Sequence, residues 1–151
     1  MTVVVPMSRE HLAALTQLEQ QCFSQPRSFA QLEEELSNPS AIFLTALCDG
    51  EVAGYCGLHY VLDEGYVDDV AVFESFRRRG IGRLLMQALE DNARQKQLSF
   101  ISLEVRASNQ PAIALYAGMG YETVGRRKNF YSLPTEDALI CTKQLHNGGT
   151  K

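Results

Sequence analysis

The segment that most constrains the fold is a predicted strand that leads into a predicted helix through a loop of arginines and glycines. Residues 70–85 read VAVFESFRRRGIGRLL, and a further strand-like run follows at residues 100–105. A helix that connects two strands in this way is typical of a parallel β-α-β crossover. One face of this predicted helix, which is mostly apolar, carries Ile81, Leu84, Leu85, Ala88, Leu89 and Asn92.

Other stretches add strands and helices around this crossover. Ser28 and Gln31 have the spacing of a capping box, which starts a helix that ends before Asn38-Pro39. Asp49-Gly50 separates two apolar runs and predicts a β-hairpin. Asn109 before Pro111 predicts the start of a later helix. The predicted order is β-α-α-β-β-β-α-β-α-β-β, with strands at 2–5, 42–48, 51–60, 66–73, 100–105, 121–126 and 138–145.

Composition narrows the functional classes. A chain of 151 residues suits one domain, which we expect at residues 1–145, with a short polar tail at 146–151. The net charge of −4 disfavours a general nucleic-acid binder. We expect no membrane span and no signal peptide, because long apolar runs are missing. The four cysteines and three histidines show no zinc spacing, so we expect reduced thiols, no metal and a cytoplasmic location.

The loop before the central helix suits an anion. It consists of Arg77, Arg78, Arg79, Gly80, Ile81, Gly82 and Arg83. Glycines at a helix N-terminus let backbone N–H groups approach a phosphate, and arginines add charge-assisted hydrogen bonds. Neither a Rossmann fingerprint nor a P-loop fits, since Leu85 replaces a small residue and Arg83-Leu84 replaces Lys-Ser/Thr. The pattern predicts a pyrophosphate cradle; the simpler alternative is a basic turn with glycines for tight packing.

A second informative stretch covers residues 103–121. Glu104 lies between Leu103 and Val105, and strand alternation places its side chain on the opposite face, where it could also be a harmless exposed residue. Tyr116 follows Asn109 by seven residues on the same helix face. Taken alone, this tyrosine fits a core position as well as a catalytic one.

Together the two stretches resemble the GNAT superfamily of N-acetyltransferases. Arg77, Gly80 and Gly82 match its R-x-x-G-x-G acetyl-CoA motif. Residues 108–121 are similar to its second motif, S-N-x-x-A-x-x-L-Y-x-x-x-G-Y, in the right order and separation. The resemblance covers nearly the whole chain. It implies an α/β (α+β) fold with a mixed, mainly antiparallel central sheet and helices on both faces.

Two shorter stretches, LEVRASN at 103–109 and RRKNFY with EDAL within 126–139, are similar to the RimI branch of that superfamily. That branch acetylates the N-terminal alanine of a small-subunit ribosomal protein. One departure lies in the last predicted strand, where Cys-Thr-Lys at 141–143 replaces a more apolar run. The likeness implies acetyl-CoA as co-substrate and the basic N-terminus of a ribosomal protein as partner. Nucleic acid and membranes are not implied as partners, and the oligomeric state is left open.

The resemblance also implies roles for individual residues. Glu104 would accept a proton and Tyr116 would donate one. The backbone of Val70, Ala71 and Val72 would bond the pantetheine arm of acetyl-CoA. Asn109 would lie near the reactive end of the cofactor, and the pyrophosphate would lie against residues 77–83.

These residue types suit direct attack by an amine within a ternary complex. An α-amine with a pKa near ~7.8 is roughly 14% neutral at pH 7, whereas a lysine near ~10.4 is only about 0.04% neutral. A backbone N–H in residues 70–72 could bind the thioester oxygen. No Cys–His or Ser–His pattern suggests a covalent intermediate.

The sequence says less about which residues bind the amine acceptor. Glu64, Asp68 and Asp69 could attract a basic N-terminus, or could belong to a solvated turn. The aromatic segment 129–131 could line the peptide slot, or could be ordinary packing. Two alternative functions are acetyl transfer to a small amine, such as a polyamine, amino acid or aminoglycoside, and a non-catalytic acyl-CoA-binding subunit.

Overall fold

The computed structural model describes residues 1–145, so the tail predicted at 146–151 lies outside the described residues. Strands and helices alternate much as the sequence predicts. The strands are β1 (Thr2–Pro6), β2 (Ala41–Cys48), β3 (Glu51–Val61), β4 (Glu64–Val72), β5 (Phe100–Arg106), β6 (Glu122–Tyr131) and β7 (Glu136–Gln144). The helices are α1 (Leu12–Cys22), α2 (Phe29–Glu35), α3 (Ile81–Gln95) and α4 (Gln110–Gly118), with short 3₁₀ turns at Arg9–His11 and Glu74–Phe76.

The strands form one sheet in the order β1-β2-β3-β4-β5-β7-β6. Every neighbouring pair is antiparallel except β4 and β5, which are parallel and are connected through α3. This arrangement confirms the predicted mixed, mainly antiparallel sheet with one crossover. Such a crossover needs a long connection, and α3 supplies it.

The helices cover both faces of this sheet. On one face, leucines of α1 and α2 pack with Phe43, Tyr55 and Ala71. On the other face, Ile81, Leu85 and Leu89 of α3 pack, together with α4, over apolar residues of β2, β3 and β5. Burying each such leucine contributes about 1.5–3 kcal/mol relative to leaving it exposed. None of the helices in residues 1–145 is long and apolar enough to cross a bilayer.

Local signals in the sequence account for three of the element boundaries. Ser28 and Gln31 form the predicted capping box, with the Gln31 N–H donating to Ser28 Oγ at 3.1 Å. Asp49 and Gly50 both have positive φ, as a two-residue hairpin turn requires. Asn109 caps α4 by accepting from the Ala112 N–H at 3.2 Å. These three signals are confirmed.

Three predicted boundaries or faces were wrong in detail. β4 begins at Glu64, because Glu64 and Gly65 already pair with β3 and β5. β6 continues beyond residue 126 because Tyr131 still pairs with Glu136 of β7. The apolar face of α3 is rotated from the predicted one, so that Leu84 is 39% exposed and Met86 is buried.

The parallel pair β4–β5 separates part of the way along its length. The two strands pair only through residues 64–66 and 100–102, although both strands continue well beyond that point. Farther on, β4 stays with β3 and β5 stays with β7. Asp68 is an extra residue in the β3–β4 register, and a bulge of this kind bends a strand. The sheet therefore opens between β4 and β5.

Gly57 of β3 lies directly beneath the buried ring of Phe43, its partner on β2. A Cβ at this position would overlap that ring, so the ring must move out of a packed layer to accommodate one. We expect Gly57→Ala to lower the free energy of unfolding by about 2 kcal/mol, measured by urea denaturation. Gly50→Ala on the hairpin has open space for its Cβ, and only its positive φ opposes the change. A smaller loss for Gly57→Ala than for Gly50→Ala would contradict this packing argument.

Candidate active site

The opening between β4 and β5 forms a cleft of about 620 Å³. Residues 67–70 of β4 line one wall and residues 103–106 of β5 line the other. The remaining lining comes from Glu19 and Cys22 of α1, from residues 23–25 and 27 after it, from Asn109, Ala112 and Tyr116, and from residues 130–132. The separation of two parallel strands therefore creates a concave site at the centre of the fold.

The cleft receives side chains from both faces of the sheet. Leu103 and Val105 are buried in the core beneath α3 and α4, so alternation places Glu104 on the opposite face, towards α1 and α2. Tyr116, by contrast, belongs to the α3–α4 core. The two side chains predicted to move protons thus reach one cleft from opposite faces. This opening lets a ligand on one face meet a ligand on the other.

Tyr116 is buried, with 7% of its surface exposed, and lines the cleft from α4. Its ring packs edge-on against Tyr121 at a centroid distance of 5.7 Å. Within residues 1–145, its hydroxyl has no hydrogen-bond partner, whereas the Tyr121 hydroxyl donates to Glu90 at 3.0 Å. Burial raises the pKa of Tyr116 to about 12, so the hydroxyl keeps its proton at neutral pH. This group can donate a proton to a neighbouring atom in the cleft.

Glu104 lies on the β5 wall, and its side chain is about one-third exposed. Arg127 of β6 donates from Nε to the Glu104 carboxylate at 2.5 Å. The Arg127 guanidinium also lies over the Phe130 ring, 5.8 Å from its centroid. The arginine keeps the carboxylate at the cleft while leaving it open to solvent. A carboxylate held in this way can accept a proton directly or through water.

Val70, Ala71 and Val72 follow the point at which β4 leaves β5. Val70 lines the cleft, and all three pair with β3 on their other side, opposite residues 54–56. No strand of the described chain pairs with residues 67–72 on the β5 side. Their backbone groups on that side can bond an extended ligand as another strand would. The Val72 carbonyl is already used, because Arg77 Nε donates to it at 3.0 Å.

The arginine–glycine loop ends at the N-terminus of α3, as predicted. Gly80 is the N-cap residue with φ of 76°, a left-handed conformation that favours glycine. The first bond of the helix runs from the Leu84 N–H to the Gly80 carbonyl. In residues 1–145 no protein acceptor takes the backbone N–H groups of residues 78–83. Six such groups at a helix N-terminus suit a phosphate group.

Two arginines of this loop make contacts with the rest of the protein, although both are exposed. Arg77 bonds the Val72 carbonyl and lies 3.6 Å from the Cys22 sulfur, so it faces α1. Arg79 stacks over the Phe76 ring at 5.2 Å from the centroid. Arg78 and Arg83 are also exposed, and within residues 1–145 they make no side-chain hydrogen bond. The sequence pattern does not separate these orientations, because all four arginines stand within one short stretch.

Asn109 lines the cleft at the start of α4, but its side-chain oxygen is the helix cap. Its amide nitrogen is the part of the side chain that can still contact a ligand. Asn109 therefore has a structural role besides the predicted one.

The acidic residues of β4 are paired rather than free. Asp68 bonds His59 and lies 3.5 Å from Arg27, and Asp69 lies 3.1 Å from Arg27 Nε. Glu64 accepts from the Tyr66 hydroxyl at 2.6 Å and lies outside the cleft lining. Sequence patterns do not single out Arg27, because it follows Gln25-Pro26 in a polar loop and belongs to no motif. Only the tertiary structure brings it against β4.

Phe130 and Tyr131 line the cleft at the end of β6. Arg106 lies over the Tyr131 ring, 4.4 Å from the centroid, and also bonds the carbonyls of Ser132 and Pro134. These contacts hold the end of β6 and the following turn beside the β5 wall. The two aromatic rings thus border the side of the cleft on which Glu104 lies.

Known proteins are similar to this chain in sequence and architecture. A putative ribosomal protein bS18-alanine N-acetyltransferase of Bacillus subtilis is 35% identical over 135 residues, covering 89% of this chain and 89% of the relative. The ribosomal protein bS18-alanine N-acetyltransferase of Salmonella typhimurium is 36% identical over 148 residues, with coverages of 93% and 95%. The crystal structure of the ribosomal-protein-S18-alanine N-acetyltransferase from Escherichia coli superposes with a TM-score of 0.89 at 28% identity, covering 100% of this chain and 98% of that chain.

The family relationship agrees with the geometry of the cleft. The sequence matches the model of the acetyltransferase (GNAT) family over residues 12–121, which include α1, the arginine–glycine loop and Tyr116. The match spans well over half of the chain, and the relatives extend it to nearly the full length. The chain is therefore a member of the GNAT acetyltransferase family.

Proposed function

We propose that this protein transfers the acetyl group of acetyl-CoA to the N-terminal α-amine of a small-subunit ribosomal protein whose first residue is alanine. Relatives that cover most of the chain carry the name of this activity for ribosomal protein bS18. The observation that carries the proposal is the cleft through the sheet, with Tyr116 entering from one face and Glu104 from the other. The reaction takes place in the cytoplasm, where ribosomal proteins are made.

The loop and β4 hold acetyl-CoA in this proposal. The N–H groups of residues 78–83 bind the pyrophosphate, and the exposed guanidinium groups of Arg78 and Arg83 add charge. The unpaired side of residues 70–72 bonds the pantetheine arm as a neighbouring strand would. With the arm bound in this way, the thioester would lie in the opening between β4 and β5. Asn109 lies close to that end, on the α4 side.

The acceptor amine enters from the α1–α2 side. Glu104 takes a proton from the α-ammonium group, directly or through water, and leaves a neutral amine that attacks the thioester carbon. A backbone N–H of β4 binds the oxygen on which negative charge develops. Tyr116 donates its proton to the departing thiolate sulfur. The amide bond forms as the C–S bond breaks, and the attacking nitrogen then loses a second proton to water. Tyr116 regains its proton from water, so the net products are the amide, the CoA thiol and the one proton held by Glu104.

A peptide assay separates this function from its alternatives. The acceptors are a peptide with a free N-terminal alanine, the same peptide with a blocked α-amine and one internal lysine, and spermidine, each supplied with acetyl-CoA. We expect acetylation of the free α-amine alone, read by mass spectrometry. Acetyl groups on lysine or spermidine with an untouched α-amine would contradict the proposal. Binding of acetyl-CoA without turnover on any amine would instead support a non-catalytic subunit.

A further inference from the structure

Glu19 is a buried carboxyl group that the proposed reaction does not use. It lies on α1, is 1% exposed as a residue, and lines the acceptor side of the cleft. Its carboxylate accepts from the Arg27 backbone N–H at 2.7 Å and from the Tyr55 hydroxyl at 2.5 Å. Glu19 therefore ties the loop after α1 to the centre of the sheet.

The Tyr55 oxygen lies between two carboxyl groups, and this limits their charge. It is 2.5 Å from Glu19 Oε2 and 2.9 Å from Asp69 Oδ2. A tyrosine hydroxyl has one hydrogen and can donate it to only one of the two. A hydrogen bond on the other side needs a carboxyl group that itself carries a proton. The geometry therefore calls for one proton shared between Glu19 and Asp69.

The surrounding charges also favour a shared proton, with Glu19 in its neutral form. Arg27 lies against Asp69, Asp68 and Glu35, at 3.1, 3.5 and 3.5 Å, while Glu19 has no ion-pair partner in residues 1–145. A buried carboxylate without a cation is costly, so the neutral form is favoured. Burial, and then the hydrogen bond with Asp69, raises the pKa of Glu19 to about 7. The other titratable groups facing this cluster are His59 on β3, Cys22 on α1 and Arg77 before α3.

We propose that Glu19 and Asp69, bridged by the Tyr55 hydroxyl, share one proton in the free protein and release it to solvent when the acceptor's ammonium group enters the cleft. The pair then carries one more negative charge, which holds the incoming cation. Glu19 thereby determines how tightly the acceptor binds. This inference rests on the proposed function, because it requires a cationic acceptor on the α1 side. The step is a proton transfer alone: one O–H bond of the carboxyl pair breaks, and the proton passes to water.

The shared proton is tested first without any substrate. A carboxyl group with a raised folded-state pKa stabilises the fold below its unfolded pKa of ~4.3, and this contribution is lost as the pH rises through about 7. Between about pH 5 and about pH 8, we expect the Tm of the wild type to fall by about 5 °C relative to that of Glu19→Gln. Glu34→Gln, an exposed change on α2, is the control and should follow the wild type. Parallel Tm curves for wild type and Glu19→Gln would overturn the shared proton.

The role in acceptor binding is tested by calorimetry with CoA present, so that no acetyl transfer occurs. The probe is the alanine peptide used in the assay above. From about pH 6 to about pH 7.5, the deprotonated fraction of a group with a pKa near 7 rises about eightfold, while the α-ammonium stays mostly charged. We expect the wild-type Kd to fall by about eightfold and that of Glu19→Gln by less than twofold. Glu34→Gln should again behave as the wild type.

The outcomes distinguish this inference from the function on which it rests. A wild-type Kd that does not change with pH, in a protein that acetylates the peptide, would overturn the inference and leave the proposed function intact. A peptide that neither binds nor reacts would overturn both. Tyr55→Phe is the second variant, for use if Glu19→Gln does not fold. It removes the bridging oxygen, so we expect the change of Kd with pH to shrink to under threefold.

Discussion

Tyr116→Phe is expected to lower kcat by about 100-fold or more, with little change in the KM for acetyl-CoA. The substitution removes only the hydroxyl group. Within residues 1–145 it has no hydrogen-bond partner, so the ring can keep its packing against Tyr121. The loss therefore reports the proton that Tyr116 supplies to the leaving thiolate. Because the pKa of this tyrosine is raised to about 12, the wild-type hydroxyl stays protonated throughout the assay range.

Tyr121→Phe is the matched control for this measurement. It removes a buried tyrosine hydroxyl from the same aromatic pair, but this hydroxyl bonds Glu90 and does not line the cleft. We expect Tyr121→Phe to lose about 1 kcal/mol of stability and to keep wild-type kcat. Steady-state kinetics and urea denaturation of both variants separate the two effects. A kcat for Tyr116→Phe within threefold of the wild type would remove this residue from the proton-donor role.

Glu104→Gln is expected to lower kcat/KM for the acceptor peptide by about 100-fold at pH 7. The amide keeps the shape of the side chain but cannot take a proton from the α-ammonium group. The defect should shrink to about tenfold or less near pH 9, where an α-amine with a pKa of ~7.8 is mostly neutral without help. The measurement is the pH profile of kcat/KM for wild type and variant.

The Glu104–Arg127 ion pair requires a control of its own, since Glu104→Gln also removes this contact. Arg127→Gln removes the contact from the other side and leaves the carboxylate in place. A loss confined to Glu104→Gln assigns the effect to proton acceptance. Equal losses in the two variants, with no dependence on pH, would show that the ion pair holds the cleft together and that Glu104 is not the base.

The fold could be predicted from the sequence where a local rule determines it. The Ser28–Gln31 capping box, the Asp49-Gly50 turn and the Asn109 cap each act over two to four residues, and each is present in the structure. The single parallel crossover follows from one strand, one helix and the next strand in chain order. Glu104 could be assigned to the opposite face from Leu103 and Val105 by strand alternation alone.

The shape of the site could not be predicted in this way. The opening between β4 and β5 depends on each strand keeping its other partner, and on the bulge at Asp68. Register of this kind is a property of the assembled sheet. Arg27 likewise reaches Asp69 only after α1 and α2 have packed on that face. The sequence showed acidic residues near the fourth predicted strand, but it did not show that a half-buried arginine pairs with them.

The side-chain orientations of the individual arginines could not be predicted from the sequence either. Arg77 belongs to the acetyl-CoA motif by spacing, yet its side chain bonds the Val72 carbonyl and approaches Cys22. The backbone N–H groups of residues 78–83 do not depend on side-chain orientation. Glycine spacing is therefore a better guide to this loop than the count of arginines.

Acetylation of ribosomal proteins from cells that lack this gene tests the central claim most directly. Small-subunit proteins would be incubated with acetyl-CoA and the purified protein, and each product would be identified by intact-mass spectrometry and fragmentation. We predict that one protein with an N-terminal alanine gains one acetyl group, at its α-amine, while Tyr116→Phe gives almost none. Acetyl groups on lysine side chains, or no acetylation of any small-subunit protein, would contradict the account.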